Sequence, residues 1–302
     1  MIIKHKHVPF AVFVLLSMAI FYRVLKGLAL CAYDYPSCSH IVLIPFVALG
    51  LIYMERNRIF EQANFPSLWG VLLVLPGALI CWLTGMRSFA GEGNFYLSAS
   101  ALGLALLWMG GFLFSYGTRA TMAAIFPLLF LVFMVPLPEP ILSKSIHLLQ
   151  QGSTQVAYLL FQAAGVPALR QGFQLSVPGI TIEVARECSG IRSSMALFIT
   201  SVLAARFFLR TPWKGLLLVL AVFPLAVIKN GIRIATLTLL SLYVDPGFLH
   251  GHLHRDGGFV FFLIALAMLG GILILLQRSE RAPASQGTPV EAQGGAADRL
   301  AL

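Results

Sequence analysis

The chain has 302 residues, 58% of them hydrophobic and only 11% charged, with a formal net charge of +9. A soluble domain needs roughly a quarter of its residues charged to cover its surface, so this composition excludes one and describes a polytopic membrane protein. The positive balance does not mark a nucleic-acid binder, because the Lys and Arg residues stand at the ends of apolar runs and form no basic stripe interleaved with aromatics.

Taken in chain order, eight segments approach the roughly 20 apolar residues needed to cross a hydrocarbon core. They lie near 8–28, 40–54, 69–86, 96–115, 119–136, 190–209, 215–242 and 257–276. The expected fold is an all-α polytopic membrane protein, a bundle of about eight transmembrane helices with an outer interfacial helix and a small outer β-hairpin. The first run lacks a small-residue cleavage site and reads as a span rather than a removed signal peptide. Lys4 and Lys6, Arg56 and Arg58, Arg119, then Arg206, Arg210 and Lys214, and the tail after Arg278 fall on alternate sides of these spans. By the positive-inside rule those segments are cytoplasmic, both termini included. The loops carrying Asp34, Glu92, Glu139 and Asp245 then face outward.

Between the fifth and sixth spans, residues 141–165 are long enough to cross but carry Lys144, His147, Gln150, Gln151 and Gln155. That pattern predicts an amphipathic helix lying in the outer interface. Next, Phe173, Leu175 and Val177 alternate with polar residues, and Ile180, Ile182 and Val184 repeat the pattern after Pro178-Gly179, predicting a β-hairpin. After the last span the chain turns to Ala, Gly, Pro and polar residues without a hydrophobic period. The expected division is a membrane domain over 1–276 and a disordered cytoplasmic tail over 277–302.

Three sites of unusual polarity remain. Cys188, in RECSGIRSSM, directly precedes the sixth span, where helix N–H groups and a cation at Arg192, four residues on, favour a thiolate. Cys81 reads as a core residue, and Cys31 and Cys38 either pair in an oxidising compartment or simply pack. In the seventh span, Lys229, Asn230 and Arg233 interrupt an apolar run, and ionisable groups inside a membrane helix are costly enough to suggest function. About 19 residues at 1.5 Å each separate Lys214 from Arg233, which lifts Arg233 to the outer interface and to the level of Cys188. His250, His252 and His254 stand before the last span, with His254 nearest the bilayer; their spacing lacks the acidic partner of a recognisable zinc site. No metal or cofactor is expected. A nucleophile, a proton-transfer group and a fixed cation from three separate helices suit acyl transfer on a peptide bond.

The blocks ECSGIRS, NGIRI and HRDGGFVFF, with YDYPSCSHIVLIP and FPLLFLVFMVPLPEPI before them, resemble in order the motifs of the exosortases, a multi-spanning bacterial membrane family. Tyr33 and Tyr35 are displaced from the family's usual place beside Ser39-His40. The resemblance implies Cys188, Arg233 and His254 as catalytic residues, with Arg192, Asn230 and Gly258 in support. It further implies cleavage of exported proteins that end in a Pro-Glu-Pro motif, a transmembrane helix and a basic cluster, at the periplasmic face of the inner membrane. The alternative from another class is a transporter or export component for an anionic polysaccharide, with Arg233, Lys229 and the histidines lining its path. Neither inverted repeats nor matching broken spans support it, and no Gly-x-Ser-x-Gly serine-nucleophile motif is present.

Overall fold

A computed structural model describes residues 4–281 apart from 90, 92, 246 and 248–257. Among the described residues, six helical stretches are long and apolar enough to cross a membrane: Pro36–Met54, Leu68–Gly85, Phe95–Ala123, Ile191–Phe208, Pro212–Tyr243 and Gly258–Glu280. Two bent pairs raise the number to eight if each is one span. The chain is therefore an all-α polytopic membrane protein carrying one small sheet.

Both bent pairs depart from the expected spans. The run over 8–28 is not one rod: α1 (Lys4–Ile20) meets α2 (Tyr22–Asp34) at a 74° bend. In α2, Val24, Gly27, Leu28 and Cys31 recur every three or four residues and are buried, while Arg23 and Lys26 are exposed. One buried stripe with two cations on the open face suits a helix lying across the bundle better than one threading it. The expected fifth span, 119–136, shortens to Ile125–Met134, beginning with α7 (Ile125–Phe130), and bends by 86° into α8 (Glu139–Ala163). Pro136 and Pro138 stop it, since a residue preceding proline is driven out of the helical region.

The most intimate packing joins α5 (Val71–Gly85) to α6 (Phe95–Ala123). A Cβ on Gly77 would lie 2.7 Å from the Gly103 carbonyl, and one on Gly110 would lie 2.8 Å from that of Gly70. Seven-residue spacing, from Gly70 just before α5 to Gly77 within it and from Gly103 to Gly110 on α6, lets the two backbones touch twice, as small residues do between membrane helices. Cys81 packs inside this seam and donates to the Ser100 carbonyl at 3.3 Å. At Gly117, with φ 82° and ψ 177°, α6 breaks off its helical path, which separates the fourth span from the fifth.

The basic segments gather at one end. Glu55, between α3 (Ile44–Met54) and α4 (Arg56–Glu61), pairs with Arg58 at 3.0 Å and Arg206 at 3.1 Å. Arg58 also donates to the Ala123 carbonyl at 3.1 Å. Glu280 accepts from the Arg210 and Thr211 amides at 3.2 and 2.9 Å, joining the turn between α9 (Ile191–Phe208) and α10 (Pro212–Leu220) to the last helix, α12 (Gly258–Arg281). Lys214 donates to Ser279 at 2.8 Å. The last helix thus runs past 276 and is tied down by residues beyond it, while 282–302 lie outside the described residues.

At the opposite end, Cys31 and Cys38 are joined by a disulfide. There α8 lies along α11 (Val222–Tyr243), with Gly231 against Val156 and Gly152 against Val227. Over their far ends sits an antiparallel sheet of β1 (Leu169–Gln171), β2 (Gln174–Val177) and β3 (Ile180–Glu183), in that order. The expected hairpin is β2–β3, with Leu175 opposite Ile182 and Val177 opposite Ile180. Pro178 followed by Gly179 at φ 81° makes the two-residue turn. β1 extends the hairpin to three strands, and Leu175 and Val177 bury against Ala157, Phe161 and Ala235.

Candidate active site

The sheet delivers the chain into a short 3-10 turn, Arg186–Ser189, and α9 begins only at Ile191. Between them Gly190 adopts φ 77° and ψ 17°, a left-handed conformation that a Cβ makes costly by roughly 1–2 kcal/mol. This corrects the sequence reading of Cys188 as part of the span's first turn. The helix does not run through 188, so Arg192 is not its neighbour one turn along a common face, and Arg192 is exposed. The Gly190 carbonyl instead collects the Ser194 amide at 3.0 Å and the Ser193 and Ser194 hydroxyls at 3.0 and 2.9 Å.

Against this turn stands the polar patch of α11. Lys229 is 4% and Asn230 1% exposed. A Cβ on Gly190 would lie 3.1 Å from Lys229 Nζ and 3.1 Å from Asn230 Oδ1, so the two side chains end on the backbone just after Cys188. Lys229 Nζ donates to Ser193 Oγ. Arg233, half-buried, follows one turn along α11. Gly231 explains the glycine inside NGIRI, since a Cβ there would come within 2.5 Å of Val156 on α8.

From the other side, α8 holds the same turn. Arg186 pairs with Glu139 at 3.3 Å and donates to Ser143 at 3.3 Å, and Gln150 donates to the Val184 carbonyl at 2.7 Å. None of Arg186, Ser143, Gln150 or Ser193 was legible as a site residue in the sequence, and Glu139 figured only as an outer-loop charge. The signals available were the PLPEP block, which places Glu139, and the paired hydroxyls three and four residues after Gly190.

Beside the turn opens an apolar groove of about 610 Å³, walled by Phe133, Pro136, Leu149, Phe198, Val222 and Phe223. His40 and Ser194 are among its few polar linings. The His40 ring donates to the Phe133 carbonyl and leaves Nδ1 buried without a partner among the described residues.

The Cys188 side chain and all of His250, His252 and His254 lie outside the described residues. Gly258 opens α12, whose Ala265 and Leu269 pack with Leu197 of α9 and Val222 and Leu225 of α11, so the chain after His254 re-enters the bundle against both site helices. Among the described residues no three His, Cys, Asp or Glu are grouped to hold a metal ion.

No curated protein and no solved structure matches the chain. A family model does, that of the transmembrane exosortases (Exosortase_EpsH), over residues 33–271, a stretch holding Cys38 but not its disulfide partner Cys31, the Cys188 turn, the α11 patch and the start of α12. With most of its length matched, the chain belongs to the transmembrane exosortase family.

Proposed function

We propose that this exosortase-family protein is a membrane-embedded cysteine peptidase or transpeptidase acting on the C-terminal sorting signals of exported proteins. The observation that carries the reading is the seating of the Cys188 turn on Lys229 and Asn230 of α11, one helical turn before Arg233. The Cys188 thiolate attacks the scissile carbonyl, Arg233 stabilises the oxyanion, and His254 passes the thiol proton to the departing amine. Breakage of the C–N bond leaves an acyl-thioester on Cys188, which an amine or water resolves with return of the thiol. By the positive-inside rule the basic end faces the cytoplasm, so the Cys188 turn faces outward, toward the periplasm of a bacterial inner membrane. A substrate with a Pro-Glu-Pro motif followed by a transmembrane helix and a basic cluster fits this polarity, its apolar helix entering the groove beside the turn.

The test is single-turnover cleavage, in nanodiscs, of a model protein bearing such a signal. Cys188→Ala and Cys188→Ser are expected to abolish cleavage while the protein remains folded in the membrane, and Cys81→Ala is expected to cleave normally. Cleavage at the parental rate by either Cys188 variant overturns the assignment.

A further inference from the structure

Lys229 is a buried cation that the three-residue catalytic set does not use. It projects from an otherwise apolar stretch of a membrane helix, where an ammonium is costly and is kept only when it serves something. Among the described residues it has no carboxylate partner, and its hydrogen bond runs to the Ser193 hydroxyl. Ser193 in turn donates to the Gly190 carbonyl at 3.0 Å. A two-step relay therefore connects the amine to the residue two places after Cys188. Because the position of a Gly190 Cβ lies 3.1 Å from Nζ, and consecutive Cα atoms are about 3.8 Å apart, the Cys188 backbone is within roughly 12 Å of this charge.

We infer that Lys229 is a positioning residue for Cys188: through Ser193 it fixes the turn that carries the thiol, and its buried charge makes that thiol ionise more readily. The inference rests on Cys188 being the reacting group. Other charges face the same turn. Arg233 lies one turn along α11, Arg192 opens α9, Arg186 and Glu187 belong to the turn itself, and Glu139 of α8 is paired with Arg186. The Glu139 carboxylate is engaged by Arg186, and Lys229, bonded to the Ser193 hydroxyl, contributes a positive field at the turn that no described carboxylate pairs with. Over about 12 Å and at an effective dielectric near 20, one such charge moves a thiol's titration by about one pH unit.

The rate at which a neutral maleimide modifies Cys188, followed by mass spectrometry of the Cys188 peptide across pH, reads the thiolate directly and needs no substrate. Lys229→Met removes charge and hydrogen bond, Lys229→Gln keeps a donor for Ser193 without the charge, and Lys229→Arg keeps the charge. The midpoint is expected to rise by about one pH unit in the Met and Gln variants and to move by less than a third of that in the Arg variant. Ser193→Ala is expected to leave the midpoint near the parental value while slowing cleavage of the model substrate, because the charge stays and the grip on the turn is lost. Should Lys229→Met misfold, Lys229→Gln carries the comparison alone. Coincident midpoints for the parent and Lys229→Gln overturn the inference even if substrate is cleaved. A Lys229-dependent midpoint in a protein that cleaves nothing leaves the inference standing and refutes the acyl-transfer reading instead.

Discussion

Replacing Gly190 with Ala tests whether the turn after Cys188 is held in place by α11. Two costs arise, and they can be separated. The first is backbone strain: φ at Gly190 is 77°, and a Cβ in this region costs roughly 1–2 kcal/mol. The second is local crowding, since the new methyl would meet Lys229 Nζ and Asn230 Oδ1 at 3.1 Å, so turn and helix must part by a few tenths of an ångström. Gly165, just past the end of α8, supplies the control. Its φ is 72°, yet nothing lies within 4 Å of its would-be Cβ, so Gly165→Ala meets the strain alone. Both variants should lose stability through the strain, lowering the unfolding midpoint by a few degrees, and Gly190→Ala should lose somewhat more through the crowding. Only Gly190→Ala should lose activity, by about 10- to 100-fold in single-turnover cleavage, the range expected when a reacting group is displaced by up to an ångström. Thermal unfolding in nanodiscs and cleavage of the model substrate, run on the same preparations, give the two readouts. If Gly190→Ala cleaves as well as Gly165→Ala, the contact with Lys229 and Asn230 does not position the turn, and the site as drawn is wrong.

Three further perturbations address the groove and the remaining catalytic residues. Leu148 lines the groove and is exposed to it, so Leu148→Trp should narrow the space, raising KM several-fold for a substrate with its apolar helix while leaving Cys188 alkylation unchanged; an unaltered KM rules the groove out as the substrate's path. Arg233→Lys keeps a charge but not the planar fork of donors, so cleavage should fall by about 100-fold or more and should not recover at any pH. His254→Ala should slow acyl-enzyme formation but regain part of the rate with added imidazole or at higher pH, where Cys188 ionises unaided; parental rates across the profile would remove His254 from the mechanism.

The long apolar spans were legible because a helix that must satisfy its backbone inside lipid declares itself by length and composition alone. The β2–β3 hairpin was legible through its alternation and the Pro178-Gly179 turn, whereas the three residues of β1 are too few to show a period. The bends at Phe21 and at Pro136 were not read correctly. Apolar composition continues through residue 21, and what turns the chain there is the packing of one face of α2 against the bundle, a tertiary effect. At Pro136 the signal existed, two prolines two residues apart, but it ends a helix without saying where the next one points.

The site divides along the same line. Lys229, Asn230 and Arg233 stood out because polar groups in an apolar run need no assumed register to be noticed. The pairing of Cys188 with Arg192 did need one, a single helix through both, and one left-handed glycine between them removes it. The contacts that do hold the Cys188 turn join residues 36 and 47 positions apart, Ser193 to Lys229 and Glu139 to Arg186. No local periodicity encodes such separations. They follow from where α8, α9 and α11 meet, and α8 and α11 meet closely only because Gly152 and Gly231 leave room for Val227 and Val156. The glycine of NGIRI therefore bears on the site through packing. By admitting α8 it brings Glu139 and Ser143 within reach of Arg186, so that the turn carrying Cys188 is gripped from α8 on one side and from α11 on the other.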